Sequence, residues 1–273
     1  MLRDFCGSLK DFQHFYLARR NKYYMELTPV EERNGFYFKR DDLFEYAGVR
    51  GGKARTAKFL CQKATKGLVT AGARHSPQIV IIGRISLKKK LPYHAHTSIG
   101  ELSEEILSLK QYPTIQIQQH KPGYNTVIIS RAQEDAKKMN WTYIPFGMMC
   151  WEAVEQTASQ VENLPIQDIE RIVASVGSGM SFCGVAMGCH RKGWNIPIVG
   201  ISVGKDPMKT IQTFAPFGGF GKNISVVRAK VGYSTYVEEN VFQGIELDPI
   251  YEAKMIPYLQ KGDLIWLIGC RIS

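Results

Sequence analysis

The chain has 273 residues, of which 44% are hydrophobic, and its 35 lysines and arginines against 25 aspartates and glutamates give a formal charge of +10. This length and apolar content exclude wholesale disorder and allow one large domain or two that pack closely together. No apolar run is long enough to cross a membrane, and no signal-type run follows Met1. We therefore expect a cytoplasmic protein that has no membrane partner.

The basic charge favours encounters with polyanions and supports non-specific nucleic-acid binding, although it says nothing about the fold. The six cysteines are scattered, without a C-x-x-C pair or the His spacing of a zinc site, and we expect free thiols. His94 and His96 alternate as strand residues do. Because no third ligand is evident in the sequence, we interpret them as strand residues with one imidazole on an exposed face, and we predict no metal site.

The spacing of apolar residues changes repeatedly between the periods of strands and helices, which predicts an α/β protein with parallel sheets. In the first half of the chain we predict strands at 37–40, 68–70, 93–97 and 114–119, and helices at 53–66, 76–89 and 103–111. In the second half we predict helices at 125–140, 151–164 and 182–190, and strands at 142–144, 169–176, 196–202 and 263–268. No linker or repeat separates these elements, so a second domain would be inserted within the first.

The segment Gly177-Ser178-Gly179-Met180-Ser181 follows a predicted strand and opens a predicted helix. At such a turn, successive backbone N–H groups and the positive end of the helix point at one place, where an anion binds. The hydroxyls of Ser178 and Ser181 can donate further hydrogen bonds. The segment lacks the Gly-Lys-Ser/Thr ending of a nucleotide P-loop and the final glycine of a dinucleotide fingerprint, which disfavours both of those uses.

Two further segments supply an amine and a carboxylate. Lys53 follows a glycine pair at a helix start, and residues 248–252 read Asp-Pro-Ile-Tyr-Glu. An amine that forms an imine must be deprotonated, and the nearby Arg50 and Arg55 are cations that can lower the pKa of Lys53. An imine-forming lysine, a phosphate cradle and an acid for a ring nitrogen are together what pyridoxal phosphate requires.

Five segments carry a resemblance to a known family. They are Lys39-Arg40-Asp41-Asp42-Leu43, Gly51-Gly52-Lys53-Ala54-Arg55, the stretch 70–76, the glycine segment 177–181 and the stretch 247–254. In these segments the chain resembles the 1-aminocyclopropane-1-carboxylate deaminase and D-cysteine desulfhydrase family of fold type II pyridoxal phosphate enzymes. The resemblance implies two interleaved α/β domains with open, mostly parallel sheets and the cofactor in the cleft. We place the larger domain at 1–53 and 166–273 and the smaller at 54–165.

The resemblance also implies which residues form the site. Lys53 would be the internal aldimine lysine, Glu252 would face the pyridine nitrogen, and the phosphate would be bound by Gly177, Ser178, Gly179, Met180 and Ser181. Most relatives have Ser or Thr where this chain has Glu252, and a carboxylate there keeps the nitrogen protonated and deepens the electron sink. The catalytic candidates are Tyr251 and Tyr233, as acid, base or nucleophile, and Ser76, which matches a substrate-carboxylate serine. Gln78 is the nearest amide able to meet the ring hydroxyl.

We expect an enzyme that binds an amino-acid group as an external aldimine and forms a carbanion at Cα, with deamination or β-elimination as the outcome typical of the family. Breaking the bond to the carboxylate instead would make it a decarboxylase. A second hypothesis changes the substrate to an amino acid attached to thymidine in DNA, because short, basic members of the family resemble those that bacteriophages encode for DNA hypermodification. DNA would then be a partner, in the host cytoplasm. A third hypothesis is a catalytically silent binding module. Relatives are commonly dimers, so a homodimer is compatible with the resemblance.

Overall fold

The computed structural model describes residues 26–74, 76–121, 124–204, 206–215, 223–233 and 235–269. Two of the six cysteines, Cys6 and Cys270, and His75 of the stretch 70–76 lie outside the described residues. Two sheets organise the described chain, and helices cover them.

The larger sheet has six strands in the order β1-β2-β14-β9-β10-β11. They are β1 (Val30–Arg33), β2 (Phe36–Arg40), β9 (Arg171–Val176), β10 (Ile198–Ser202), β11 (Ile224–Arg228) and β14 (Asp263–Leu267). β1 pairs antiparallel with β2, and the other neighbouring strands are parallel. β14 is buried along its whole length, which is typical of a parallel strand that is covered on both faces.

The smaller sheet has four parallel strands in the order β7-β6-β5-β8. They are β5 (Leu68–Ala71), β6 (Tyr93–Ser98), β7 (Ile115–His120) and β8 (Thr142–Ile144). This sheet therefore falls between two portions of the chain that build the larger one. Two short antiparallel pairs complete the strands: β3 (Glu45–Tyr46) with β4 (Val49–Arg50), and β12 (Val241–Phe242) with β13 (Ile245–Glu246).

Helices cover both faces of the smaller sheet. The helices of the described chain are α1 (Gly52–Leu60), α2 (Pro77–Lys89), α3 (Glu104–Leu109), α4 (Asn125–Met139), α5 (Trp151–Ala158), α6 (Met180–Arg191) and α7 (Met208–Phe214). Ile79 of α2 shares a buried apolar cluster with Leu68 of β5, whereas Ile128 of α4 shares another with Val69 on the opposite face of that strand. α5 packs along α6. One 3₁₀ helix, Ser159–Asn163, continues from α5, and another, Ala253–Tyr258, follows Glu252.

The predicted class, α/β with mostly parallel sheets, is confirmed by this architecture. The elements predicted from sequence are present with end shifts of a few residues, with two exceptions. The helix predicted at 53–66 ends at Leu60, and the helix predicted at 151–164 ends as an α-helix at Ala158 and continues as a 3₁₀ helix. Sequence spacing missed the short or edge elements β1, β3, β4, α7, β11, β12 and β13. These elements are too short or too exposed to carry a clear apolar period.

The interpretation of His94 and His96 was wrong. The two residues lie two positions apart on β6, so their side chains share one face of the strand, and both are buried, with 6% and 1% of their surface exposed. Helix α4 covers this face, and its Asp135 supplies the third polar group that the sequence did not reveal. The error arose because the third group comes from a different element of the fold.

Within the described ranges, no helix combines the length and the apolar character needed to cross a bilayer. Cys61, Cys150, Cys183 and Cys189 are free thiols, as the sequence predicts.

Candidate active site

One cavity of about 900 Å³ lies where loops from both sheets meet, and every residue singled out from the sequence as a site candidate lines it. These residues are Lys53, Ser76, Gln78, Gly177, Ser178, Gly179, Met180, Ser181, Tyr233, Tyr251 and Glu252. The structure thus brings together segments that lie up to 200 positions apart in the sequence. Their individual roles stay predictions.

Lys53 reaches the cavity from the first turn of α1, which begins after a constrained glycine. Gly51 has φ +101°, and a Cβ at this position would lie 2.6 Å from the carbonyl oxygen of Ile268. The neighbouring Gly52 donates its backbone N–H to the same oxygen at 2.6 Å. The glycine pair therefore lets α1 start directly against the end of β14, and this contact aims Lys53 into the cavity.

Arg55, which the sequence offered as a cation near Lys53, is paired with a carboxylate. Its buried guanidinium binds Asp41 through two hydrogen bonds of 2.9 and 2.8 Å. Burial alone would raise the pKa of Asp41, but the Arg55 charge, the hydrogen bonds from Arg55 and Thr28 and the Lys39 charge together outweigh burial and hold that pKa below its ordinary value. Asp41 also accepts hydrogen bonds from Thr28 and Trp266. The charge of Arg55 is balanced within this network, which anchors α1 to the larger sheet.

The glycine loop follows β9 and leads into α6. Gly179, at φ +92°, is the N-cap of this helix. The first backbone N–H groups of a helix have no partner within it, so those of Met180 and Ser181 point toward the cavity end of α6. A Cβ at Gly177 would lie 3.0 Å from the Tyr251 ring, so a side chain here would push into the tyrosine. The loop is suited to an anion such as phosphate.

Glu252, the last residue of the motif 248–252, has a fully buried side chain. One carboxylate oxygen accepts the backbone N–H groups of Ile268 and Gly269 at 2.7 and 3.1 Å, and the other accepts that of Asp248 at 3.3 Å. Burial raises the pKa of Glu252 to about 7, against the lowering effect of the Gly269 N–H. The carboxyl is therefore fixed in place and able to hold or release a proton near neutral pH.

Tyr251 links the lysine to a second tyrosine. The Lys53 ammonium lies 5.2 Å from the centroid of the Tyr251 ring, and the Tyr251 hydroxyl is 2.8 Å from that of Tyr233. Lys254 fixes the backbone that carries Tyr233, because its ammonium donates to the carbonyls of Gly232 and Tyr233 at 2.7 and 2.9 Å. The Lys53 amine over the Tyr251 ring and the two paired phenols thus lie next to one another on the cavity wall.

Ser76 is the N-cap of α2, and its hydroxyl accepts the backbone N–H of Gln78 at 3.3 Å. The Gln78 amide nitrogen donates to the Thr70 hydroxyl at 2.7 Å and to the Pro145 carbonyl at 2.8 Å. Both amide hydrogens of Gln78 are committed to protein partners, so only its carbonyl oxygen can meet a cofactor hydroxyl, as an acceptor.

Sequence reasoning missed several residues of the cavity wall. Asn125 lines it from the first position of α4, and Ser202 and Gly204 line it from the end of β10. Asp248 was noticed only as part of a motif, yet its carboxylate accepts the N–H groups of Ile250 and Tyr251 and so shapes the turn that carries Tyr251. The Asp-Pro pair is a turn signal that could have revealed this role.

No family model matches the sequence. A curated Thermotoga maritima protein, provisionally named a 1-aminocyclopropane-1-carboxylate deaminase, is 23% identical over 272 aligned residues, with 84% of each chain covered. The crystal structure of an ACC deaminase homologue matches with a TM-score of 0.74 at 21% identity and covers 89% of each chain. A pyridoxal 5'-phosphate-dependent aspartate racemase matches with a TM-score of 0.51 at 14% identity, covering 96% of this chain and 80% of the racemase.

These likenesses confirm the resemblance drawn from the sequence at the level of fold. The chain has the fold type II architecture, in which two mostly parallel α/β sheets flank one cavity. At such identities the comparison establishes the fold, and the chemistry has to be argued from the cavity itself.

Proposed function

We propose that this chain is a pyridoxal phosphate-dependent enzyme that acts at Cα of an amino-acid group. The observation that carries the proposal is the single cavity that an amine, a glycine loop at a helix N-terminus and a buried carboxyl line together. Each of these features alone is common. Their convergence from three distant segments is what a phosphorylated aldehyde with a pyridine ring requires.

The residues present fit this cofactor. Lys53 would hold it covalently, the N-terminus of α6 with Ser178 and Ser181 would bind its phosphate, and Glu252 would meet the ring nitrogen. Gly177 leaves room beneath the Tyr251 ring where a Cβ would collide at 3.0 Å. The cavity of about 900 Å³ is large enough for the cofactor together with an amino acid.

The bound cofactor supplies an electron sink that stabilises negative charge at Cα. The chain's own residues would prepare that step. Glu252 would keep a proton at the pyridine nitrogen, since a carboxylate beside it favours the charged ring. The Ser76 hydroxyl, at the start of α2, would bind the substrate carboxylate. Lys53 and Tyr251 would move a proton at Cα or at the leaving group, and Tyr233 would orient the Tyr251 hydroxyl through their 2.8 Å contact.

For the reaction we place deamination or β-elimination first and decarboxylation second. The Thermotoga maritima protein and the crystal structure with a TM-score of 0.74 carry deaminase names, and a carboxylate-binding Ser76 would retain rather than release the carboxylate.

The test is covalent capture of the cofactor. The full chain is incubated with pyridoxal phosphate and reduced with borohydride, and its peptides are analysed by mass spectrometry. We expect one phosphopyridoxyl adduct, on the peptide that contains Lys53, and its loss in Lys53→Ala. Lys58→Ala is the matched control, because Lys58 lies on the same helix with 44% of its side chain exposed and should leave the adduct unchanged. An adduct that survives in Lys53→Ala would overturn the proposal.

A second candidate substrate is an amino acid attached to a thymidine base in DNA. Two exposed arginines, Arg50 and Arg228, line the cavity beside one exposed acid, Asp206, and the whole chain carries a formal charge of +10. Contacts with phosphates make DNA binding strongly salt-dependent. We expect duplex DNA binding that weakens steeply between 50 and 200 mM salt under this candidate. Absence of binding at the lower concentration would eliminate it and leave a free amino acid.

A further inference from the structure

A second polar cluster lies on the face of the smaller sheet that α4 covers. It consists of His94 and His96 on β6, Asp135 on α4 and His120 at the end of β7. None of the four residues lines the cavity of the candidate active site. The cluster sits in an otherwise apolar interface, where Val69 and Ala71 pack against Ile128, Ala132 and Ala136.

Three of these side chains converge on one point. The Oδ2 atom of Asp135 lies 3.1 Å from Nδ1 of His94 and 3.2 Å from Nε2 of His96. One ligand atom from each of the three residues falls within 4.8 Å of the others. Two atoms bound at about 2.1 Å to one tetrahedral ion lie about 3.4 Å apart, so the spacing is close to that of a coordination shell.

Within the described part of the chain, hydrogen bonds leave two buried ring nitrogens of the cluster without a partner. Nε2 of His94 and Nε2 of His96 are buried and have no hydrogen-bond partner among the described residues. For His96 this is the atom that faces the Asp135 carboxylate, at 3.2 Å. A buried ring nitrogen without a partner is costly.

The other ring nitrogen of His96 is fixed by a hydrogen-bond partner. Its Nδ1 lies 2.9 Å from Nε2 of His120, and the two rings stack with an interplanar angle of 5°. Metal-binding histidines usually have their second nitrogen fixed by such a hydrogen bond, which sets the tautomer and the ring orientation. His120 thus orients Nε2 of His96 toward Asp135.

We propose that His94, His96 and Asp135 bind a divalent transition-metal ion, with His120 as the outer partner of His96. Two imidazole nitrogens and one carboxylate oxygen suit Zn²⁺, Ni²⁺ or Fe²⁺ rather than Mg²⁺ or Ca²⁺, which prefer all-oxygen shells. Water completes the shell, since Asp135 is one-third exposed. The ion joins α4 to β6, and α4 is the helix whose first residue, Asn125, lines the active-site cavity.

The test is metal binding by the full, cofactor-loaded chain after removal of metals with a chelator. Zn²⁺ and Ni²⁺ are added separately in equilibrium dialysis, because Ni²⁺ prefers imidazole whereas thiolates also attract Zn²⁺. Bound metal is quantified, and the melting temperature is recorded with and without each ion. The variants are Asp135→Asn, His96→Gln and His120→Gln. The control is Glu134→Gln, which removes the neighbouring carboxylate on α4 that pairs with Arg131 at the surface.

We expect one equivalent of metal and a higher melting temperature in the wild type and in Glu134→Gln. Asp135→Asn and His96→Gln should weaken binding at least about a hundredfold and lose the thermal shift, and His120→Gln should weaken it about tenfold. Circular dichroism and cofactor absorbance show whether each variant is folded. If Asp135→Asn does not fold, His96→Gln decides. Equal affinity in wild type and either ligand variant, or no stoichiometric binding by the wild type, would overturn the proposal.

Discussion

Glu252→Gln tests the electrostatics of the candidate site in a way that needs no substrate. The carboxyl of Glu252 is buried, and its pKa in the folded protein is raised from 4.5 to about 7. Between these two values the native state holds a proton that the unfolded state has released. The cofactor-free protein must therefore lose stability as the pH rises from about 4.5 to 7, and the loss is complete above the folded pKa.

The size of this effect follows from the pKa difference. At about 1.4 kcal/mol for each tenfold change in proton affinity, the rise from 4.5 to about 7 corresponds to about 3–4 kcal/mol in full, of which about 3 kcal/mol falls between pH 5 and pH 8. Glutamine cannot ionise, so Glu252→Gln lacks this dependence. It retains an oxygen that can accept the N–H groups of Ile268 and Gly269, but its amide meets the N–H of Asp248 as a second donor, at a constant cost at every pH.

The assay is urea denaturation of cofactor-free wild type and Glu252→Gln between pH 5 and pH 8. We expect the free energy of unfolding of the wild type to fall relative to the variant by up to about 3 kcal/mol over this range. Glu239→Gln, which changes an exposed carboxylate, should follow the wild type. Bound pyridoxal phosphate should reduce the pH dependence of the wild type, because a protonated ring stabilises the ionised carboxylate. Parallel profiles for the wild type and Glu252→Gln would refute the reasoning.

Three further substitutions probe how the site is held. Gly51→Ala should lower the free energy of unfolding in urea by about 1–3 kcal/mol from backbone strain at φ +101°, and further through contact with the Ile268 carbonyl; an unchanged midpoint would contradict this. Asp41→Asn should cost about 3–5 kcal/mol by leaving Arg55 buried without its counter-charge. Because the pKa of Asp41 is lowered in the folded state, this difference should be full above the ordinary carboxyl pKa and disappear as the pH falls from there through the lowered pKa of the folded protein; a difference independent of pH would count against the pair. Gly179→Ala, at φ +92°, should weaken pyridoxal phosphate binding about tenfold in an absorbance titration, and equal affinity would place the phosphate elsewhere.

The order of strands and helices could be predicted from sequence because most of them obey local rules. The run that ends in Val176 is continuous and apolar, and the glycine segment after it marks the turn into α6. The glycine segment, Lys53 and Glu252 could be assigned to one site because a phosphate, an imine and a ring nitrogen each require a particular group. This logic fixed the composition of the site without its geometry.

Pairings between distant elements could not be predicted, because no local pattern encodes them. Arg55 has the sequence context of a free cation beside Lys53, and only the tertiary structure sets Asp41 against it. His94 and His96 have the spacing of any strand residues, and Asp135 has that of any polar residue on an amphipathic helix. The two histidines contact Asp135 only because α4 packs over β6, and this packing is set by the tertiary structure.

The site exists because of the order of strands in the larger sheet rather than their order in the chain. β14 lies between β2 and β9, so the segments that follow these three strands are spatial neighbours. The segment after β2 leads to Lys53, and the segment after β9 is the glycine loop. Just after β14, the backbone of Ile268 contacts the segments that carry the amine and the acid. Its carbonyl accepts the N–H of Gly52, next to Lys53, and its N–H donates to the Glu252 carboxylate. Ligands of open α/β sheets bind at the carboxyl ends of parallel strands, and here one strand end fixes the separation between the amine and the acid.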